Sequence, residues 1–259
     1  MPLRRTTLDK LTILDEPAFL ALPVYTRLKR HVIESKYPFL IPDSHTNFSW
    51  DRSPFLNLTF WNGQQGADVL AEDEIQADVV AHVAWHQLTN QQLERAVGTH
   101  TPSAASMFLG ESIASAFDLY VLGKLIRSAP GCDFVTSQVP IMSEATEQAG
   151  LPSKGFERLL DGVASDPDQA FEDLRSYLFD ITQALLPAVS AEAAQSILED
   201  HEGHRFAPLL HHYQVSNWIL YARAYSTTSV QLQAEVERVD AQLRAASSSL
   251  VWLEAHWLV

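Results

Sequence analysis

Two histidines separated by three residues, His82 and His86, are the first feature of this sequence that suggests chemistry. Side chains four positions apart lie on the same face of an α-helix, one turn from each other. Apolar residues at helical spacing mark that face: Ile75, Val79, Leu93 and Val97. Both imidazole rings are therefore predicted to point toward the core, where a nitrogen without a hydrogen-bond partner costs about 1–3 kcal/mol. A metal ion would be a partner for both rings at once.

Glu111 adds a carboxylate to this pair from the next predicted helix. It shares a helical face with apolar or small residues: Met107, Phe108, Ala114 and Ser115. Two histidines and one carboxylate form a ligand set that fits Zn²⁺, or Fe²⁺ if coordination positions are left open. The sequence therefore predicts a metal site of His82, His86 and Glu111, with zinc, iron and a metal-free protein all left open.

Both segments resemble the core of the gluzincin metallopeptidases. The sequence AHVAWHQL, residues 81–88, is similar to that family's segment A-H-E-x-x-H-Q, and FLGESIASAF, residues 108–117, is similar to its segment W-x-N-E-G-x-A-x-Y-F. In that family a sheet precedes the histidine helix, the second helix supplies the third zinc ligand, and a helical region follows. The resemblance implies that His82 and His86 are the histidine ligands and that Glu111 is the carboxylate ligand.

The chain departs from the family at the residues that do the chemistry. Val83 stands where the family has its catalytic glutamate, and general acid–base catalysis is worth ~10²–10⁴-fold in rate. Ser115 occupies a position that often carries an acid to orient a histidine, and Asp118, two turns after Glu111, is expected to lie too far away to replace that acid. The sequence therefore predicts that this protein is not an active gluzincin peptidase.

Three further residues are candidates for roles beside the metal. Asp78 precedes His82 by one turn, so it is predicted to be a hydrogen-bond partner of a ligand or a substitute acid. His212 and Tyr213 lie in the C-terminal half, where gluzincins use a tyrosine or histidine to stabilise an oxyanion. Neither residue can be aligned to that position, so their role at the site is a hypothesis only.

The elements that must position these residues suggest an α+β fold, mainly α. A β-containing region, a gluzincin-like helix pair and a helical C-terminal region are predicted to form one compact unit, at residues 1–66, 67–130 and 131–259. In the first region the sequence predicts a helix and then two strands, at 22–33, 37–41 and 55–61. Predicted helices then follow at 67–97 (one long helix or two joined ones), 103–128, 154–163, 168–186, 190–202, 207–225 and 229–257, with a loop at 131–153.

The last predicted helix carries an apolar stripe with alternating steps of four and three residues. Its members are Leu232, Val236, Val239, Leu243, Ala246, Leu250, Leu253 and Trp257. This is coiled-coil spacing, which is compatible both with a helix packed inside a bundle and with the seam of a homodimer. The bundle interpretation is favoured, and the homodimer is left open.

Composition narrows the class of protein. Hydrophobic residues make up 46% of the chain and charged residues 19%, which favours a globular protein over a disordered one. The net charge of −14 disfavours nucleic acid as a partner. Cys132 is the only cysteine, which excludes an intramolecular disulfide and a cysteine-based zinc site. Since no signal peptide or membrane span is recognised, the cytoplasm is the expected location and no membrane partner is expected.

Two functions of different classes fit these observations. The first is a peptide-binding protein on a degenerate metallopeptidase scaffold, which binds or helps to remodel a peptide in a biosynthetic pathway, such as that of a peptide natural product, without proteolysis. The peptide would add as a strand to a sheet edge. The alternative is a metal-dependent enzyme, with zinc or iron, that acts on a peptide or small molecule through His82, His86 and Glu111.

Overall fold

The computed structural model describes residues 3–42, 68–70, 72–98 and 102–258. Among these residues helices predominate and strands are few, which confirms an α+β fold that is mainly α. Buried residues from all three predicted regions belong to one hydrophobic core cluster. The predicted strand at 55–61 lies outside the described residues.

The N-terminal region contributes two small sheets. In the first, β3 pairs antiparallel with β1 and parallel with β4; these strands are Pro38–Pro42, Leu3–Thr7 and Asp68–Val69. In the second, β2 and β5 pair in parallel; these strands are Thr12–Leu14 and Glu74–Gln76. A short helix α1, Glu16–Phe19, and the helix α2, Pro23–Glu34, connect β2 to β3. The predicted helix at 22–33 and the predicted strand at 37–41 are thereby confirmed.

The histidine helix begins later than the sequence suggests. A helix was expected from residue 67, but residues 68–69 and 74–76 pair as strands β4 and β5. The helix α3 spans Ala77–Val97 and follows β5 without a connecting loop. Sheet pairing with distant strands overrides local helical periodicity here, because the hydrogen bonds to β2 and β3 are made only in the folded chain.

Helix α4, Ala104–Ser128, runs through the centre of the protein and packs most extensively against α7 and α3. A capping box begins it, in which Ser103 and Ser106 each accept a hydrogen bond from the backbone N–H of the other. By length and composition alone α4 is apolar enough to cross a membrane, but 89% of its most apolar window is buried inside the protein. The prediction for residues 103–128 is confirmed, and the cytoplasmic location stays a prediction.

The prediction of a loop at 131–153 is wrong for most of that segment, because Asp133–Gln148 form the helix α5. Pro140 lies inside this helix with its side chain exposed, while Phe134, Val135 and Met142 are buried in the core. The carboxylate of Asp15 accepts a hydrogen bond from the backbone N–H of Phe134 at 2.9 Å and so caps the start of the helix. Packing and a cap from a distant residue outweigh the unfavourable proline.

The remaining helices follow the prediction with two corrections. They are α6 Ser153–Ser165, α7 Pro167–Leu185, α8 Ala191–Asp200, α9 Val215–Tyr225, α10 Val230–Ala245 and α11 Ser249–Trp257. The segment predicted as one helix at 207–225 begins with a 3₁₀ turn, Ala207–Leu209, and its α-helix, α9, starts only at Val215. The helix predicted at 229–257 is interrupted between α10 and α11, where the Ser248 side chain caps α11 by accepting from the backbone N–H of Val251.

The apolar stripe of α10 and α11 packs within the protein. All its members except the half-buried Ala246 are buried: Leu232, Val236, Val239, Leu243, Leu250, Leu253 and Trp257. Helix α10 lies against α3 and α4, and α11 lies against α7. The bundle interpretation is therefore confirmed, whereas an uninterrupted coiled-coil seam is not formed. The homodimer stays a prediction.

Candidate metal centre

His82 and His86 lie in the first three turns of α3, where β5 leads directly into the helix. Their ring centroids are 4.9 Å apart, and their side chains are 18% and 13% exposed. The i,i+4 spacing thus places both rings on one face, as predicted, and that face is turned toward α4 rather than toward water.

Glu111 approaches the two rings from α4 and is 5% exposed. Its carboxylate oxygens lie 3.7 Å from Nε2 of His82 and 3.4 Å from Nε2 of His86. The ligand atoms of the three residues all lie within 4.8 Å of one another. Tetrahedral zinc with bonds of about 2.0–2.2 Å would separate its ligand atoms by about 3.3 Å, so these positions are close to those that zinc needs.

Gly110 permits this close approach of α3 and α4. A Cβ atom at position 110 would lie 3.3 Å from Nδ1 of His86 and 3.7 Å from Cγ2 of Thr89. Any larger residue would therefore press directly on the second histidine ring. The glycine immediately before Glu111 is thus part of the geometry that brings the carboxylate to the imidazoles.

Asp118 orients His82, contrary to the expectation from the sequence that it lies too far away. Oδ2 of Asp118 is 2.8 Å from Nδ1 of His82. Glu111 and Asp118 are seven residues apart, so they share a face of α4, and the ring of His82 reaches both carboxylates with its two nitrogens. In many zinc sites a carboxylate accepts a hydrogen bond from whichever ring nitrogen of a histidine ligand does not bind the metal, because this bond fixes the tautomer of the ring.

The charges of this cluster call for a cation. When Nδ1–H of His82 donates to Asp118, Nε2 presents a lone pair to the carboxylate of Glu111, and two acceptors then face each other. Burial opposes a charge on His82, yet Asp118 and Glu111 raise the pKa of its ring well above the ordinary value. Burial would also raise the pKa of Glu111, but His86 and His82 lower that pKa to about 2. A proton or a metal ion satisfies this arrangement, and the residues fit Zn²⁺.

Asp78 lines the same cavity as His82 and Glu111, one turn before the first histidine. Burial, together with the nearby carboxylate of Asp118, raises the pKa of Asp78 to about 6. A carboxyl group that titrates near neutral pH can both accept and release a proton under physiological conditions. Asp78 is therefore a candidate for proton transfer at this centre.

Val83 does not take part in the cavity. It is 1% exposed and belongs to the hydrophobic core. The described residues that line the cavity do not include it. The position after the first histidine therefore holds a packing residue, and the carboxylate that contacts His82 from α4 beside Glu111 is that of Asp118.

A cavity of about 760 Å³ opens beside the cluster, a size typical of sites for small molecules. Its described lining residues come from α3, α4, α5 and α9 and from residues 212–214. His212 and Tyr213 are both among them, so the structure brings these two candidates to the wall of the same cavity.

His212 and Tyr213 present neutral polar groups to this cavity. Burial lowers the pKa of His212, and its buried Nδ1 makes no hydrogen bond within the described structure. Burial, and then the carboxylate of Asp118, raises the pKa of Tyr213 above its ordinary value, so the phenol keeps its proton. Neither group therefore adds charge to the cavity wall.

The sequence did not predict three groups of cavity residues: Asp118, those of α5 and those of α9. Asp118 was judged too distant, although its spacing of seven from Glu111 was a signal that both lie on one face. The α5 residues Phe134, Gln138 and Met142 were missed because their segment was predicted to be a loop. The position of the α9 residues beside the histidines of α3 could not be predicted, since no pattern in the α9 segment indicates which helix it packs against.

No protein-family model matches this chain, and comparison with curated proteins and with solved structures finds no match either. The likeness to gluzincins therefore rests on the residues of α3 and α4 alone and stays a prediction.

Proposed function

We propose that this protein is a metal-dependent enzyme that holds Zn²⁺, or alternatively Fe²⁺, with His82, His86 and Glu111 and acts on a peptide or small molecule in the adjoining cavity. The observation that carries this proposal is the convergence of the three ligand atoms within 4.8 Å of one another. The hydrogen bond from His82 to Asp118 adds support, because histidines that bind a metal commonly donate their other ring N–H to a carboxylate.

The side chains around the cluster have distinct tasks in this proposal. Asp118 accepts from Nδ1–H of His82 and so selects the tautomer whose Nε2 lone pair faces Glu111. Asp78 accepts a proton from the reacting group and returns it, since its carboxyl group lines the same cavity as the ligands. His212 and Tyr213 hydrogen-bond the substrate as neutral groups. A bound Zn²⁺ supplies a Lewis acid that polarises the group to be attacked.

Proteolysis by the gluzincin mechanism is not part of this proposal. That mechanism needs a proton carrier next to the first histidine ligand, and Val83 has a hydrocarbon side chain that is buried in the core. Asp78 lines the cavity one helical turn before His82. A reaction that Asp78 assists would therefore have its proton carrier at a different position from that of the gluzincin glutamate.

Metal analysis of the purified protein tests the proposal directly. We expect one equivalent of zinc or iron per chain by elemental analysis, and saturable one-to-one binding when Zn²⁺ is titrated into chelator-treated protein. Zn²⁺ at about 100 times its Kd should also raise the free energy of unfolding by about 2.7 kcal/mol. The variant His82→Ala should weaken binding by more than the roughly 10–100-fold typical of losing a ligand's hydrogen-bond partner.

His256→Ala is the matched control, because His256 is exposed on α11 and does not line the cavity. It should bind zinc as the wild type does. A folded wild-type protein that takes up no zinc or iron, or a His82→Ala variant that binds zinc equally well, would contradict the proposal.

A second candidate, a peptide-binding protein that does not cut its ligand, is favoured by the buried Val83. It would use the cavity of a degenerate metallopeptidase to bind or help remodel a peptide in a biosynthetic pathway. The described lining of the cavity is entirely helical or lies in residues 212–214, so side chains, and not an added strand, would hold such a peptide. A peptide that binds without being cleaved, with equal affinity in His82→Ala, would favour this candidate.

A further inference from the structure

The cavity beside the candidate metal centre has walls of contrasting chemistry. Helices α3 and α4 contribute three carboxylates to it, those of Asp78, Glu111 and Asp118. Helices α9 and α5 contribute mainly aromatic and apolar side chains: Trp218, Leu220, Tyr221, Tyr225, Phe134 and Met142. A ligand that fills the cavity therefore meets negative charge on one wall and ring surfaces on the other.

The aromatic wall follows the geometry of α9. Trp218, Tyr221 and Tyr225 are spaced i, i+3 and i+7, which places them on one helical face. The rings of Tyr221 and Tyr225 are 4.5 Å apart and tilted by 39°. Trp218 is 7% exposed, whereas Tyr225 is 64% exposed, so the row of rings runs from the core to the surface. An exposed aromatic residue that continues a cavity wall is typical of a ligand-binding surface.

Charge decides which ligands this cavity favours. No lysine or arginine is among the described residues that line it, and the ring of His82 already pairs with Asp118 and Glu111, so a carboxylate or phosphate group on a ligand would meet a wall of net negative charge. A protonated amine would be attracted by the carboxylates of Asp78 and Asp118. It would also be attracted by the faces of the tyrosine and tryptophan rings, which interact favourably with cations.

We propose that the ligand of this cavity is an amine-bearing molecule with an aromatic group, in which the ammonium faces the α3 and α4 carboxylates and the ring lies against Trp218 and Tyr221. The inference rests on the proposed function for its claim that this ligand is the substrate. The choice of ligand class rests on the cavity walls alone. Anionic aromatic molecules and small aliphatic amines should bind more weakly, because each lacks one of the two matching groups.

Binding of simple probes to the chelator-treated protein tests the ligand class without any metal. Phenethylamine, 3-phenylpropanoate and n-butylamine separate the contributions of charge and ring, and calorimetry or ligand-observed NMR measures their Kd. We expect phenethylamine to bind at least about 10-fold more tightly than either of the other two. Equal binding of phenethylamine and 3-phenylpropanoate, or no binding of phenethylamine, overturns the proposal.

Variants of Tyr221 locate the binding site. Aromatic pairs are worth about 0.5–1.5 kcal/mol, so Tyr221→Ala should weaken phenethylamine binding by about 3–10-fold, while Tyr221→Phe, which keeps the ring, should leave it within about 2-fold. Trp252→Ala is the matched control, because Trp252 is a half-buried aromatic residue of α11 outside the cavity lining. If Tyr221→Phe or Trp252→Ala weakened phenethylamine binding as much as Tyr221→Ala does, the ligand's ring would not lie against Tyr221.

Zinc-loaded protein connects the ligand class to the proposed function. L-phenylalanine hydroxamate should bind at least about 10-fold more tightly than L-alanine hydroxamate, since only the former reaches the aromatic wall. If zinc fails to bind but phenethylamine is preferred, the proposed enzyme is wrong and the ligand class stands. If zinc binds one-to-one and the probes show no preference, the ligand class is wrong and the metal centre stands.

Discussion

Nδ1 of His82 lies 2.8 Å from Oδ2 of Asp118, although the two residues belong to different helices and are 36 positions apart in sequence. The same ring turns its other nitrogen toward Glu111, two turns earlier on α4. One imidazole therefore joins two carboxylates on a single helical face. This arrangement distinguishes the cluster from a pair of core histidines that merely hydrogen-bond to the backbone, and it leads to the first of four predictions.

Asp118→Asn should weaken zinc binding by about 10–100-fold without unfolding the protein, because an amide cannot hold the tautomer of His82 as a carboxylate does. Calorimetric titration of Zn²⁺ into chelator-treated wild type and variant measures the change. Asp161→Asn is the control, since Asp161 is an exposed residue of α6. If Asp118→Asn binds zinc with wild-type affinity, Asp118 does not orient a metal ligand.

Asp78→Asn should stabilise the metal-free protein at neutral and higher pH. Burial, together with Asp118, raises the pKa of Asp78 from 3.8 to about 6, so its ionisation opposes folding. This cost is absent below about pH 4, grows between pH 4 and 6, and is complete above pH 6. Removing the charge should therefore raise the free energy of unfolding by about 3 kcal/mol at pH 8 and by clearly less at pH 5.

Denaturant titrations of wild type and Asp78→Asn at pH 5 and pH 8 measure this difference, with Asp161→Asn as the variant that should show no such dependence. A stabilisation of equal size at both values of pH would mean that the substitution acts through packing and not through the charge of Asp78. In the metal-loaded enzyme the same variant should lose most of its activity, because the amide cannot accept a proton.

Gly110→Ala should lower zinc affinity, because the added methyl group would lie 3.3 Å from Nδ1 of His86 and force that ring to shift. An alanine in a helix usually gains up to about 1 kcal/mol over glycine, so stability should change little as the two effects offset each other. Gly162→Ala on α6 is the matched control, since the nearest atom to its Cβ is Nη1 of Arg205 at 4.0 Å.

We expect Gly162→Ala to raise the free energy of unfolding by about 0.5–1 kcal/mol and to leave zinc binding unchanged. Zinc titration and denaturant unfolding of both variants provide the comparison. A Gly110→Ala variant that gains stability like the control and binds zinc normally would show that α3 and α4 do not need the glycine for the site.

Val83→Glu should not create peptidase activity and should destabilise the protein strongly. The side chain at position 83 is 1% exposed and faces the core, so a carboxylate there would be buried away from the cavity at a cost of several kcal/mol. Val83→Thr, nearly the same in shape, should cost only about 1–3 kcal/mol. Thermal unfolding and a general protease assay on both variants test this. A stable Val83→Glu protein that cuts peptides would refute the orientation of Val83.

The histidine pair of the ligand set could be predicted from the sequence because it depends on a short distance along the chain. His82 and His86 are one helical turn apart wherever α3 is placed, and apolar residues at the same period mark the buried face. The helices α2, α4 and α7 were likewise predictable from their periodicity and their caps or prolines. That Glu111 joins the two rings was expected from its inward helical face and from the resemblance, and the contact of α3 with α4 is what brings its carboxylate to them.

Several features could not be predicted because they depend on partners far away in sequence. Helix α5 forms although Pro140 lies within it, since Phe134 and Met142 are buried and Asp15 caps its first turn from 119 positions earlier. The strands of residues 68–76 exist because β2 and β3 pair with them. The break before Ser249 is stabilised by a carboxylate from another helix, that of Glu172, which accepts from the Ser249 hydroxyl.

The sequence by itself determined which side chains share a helical face, because the period of an α-helix depends only on the backbone of neighbouring residues. Only the tertiary structure decided which faces meet. Helix packing brought Asp118 to His82 and turned the aromatic face of α9 toward the carboxylates of α3 and α4. Contacts between helices depend on the shapes of whole surfaces and on their positions in space, and this information is not contained in any short segment of the chain.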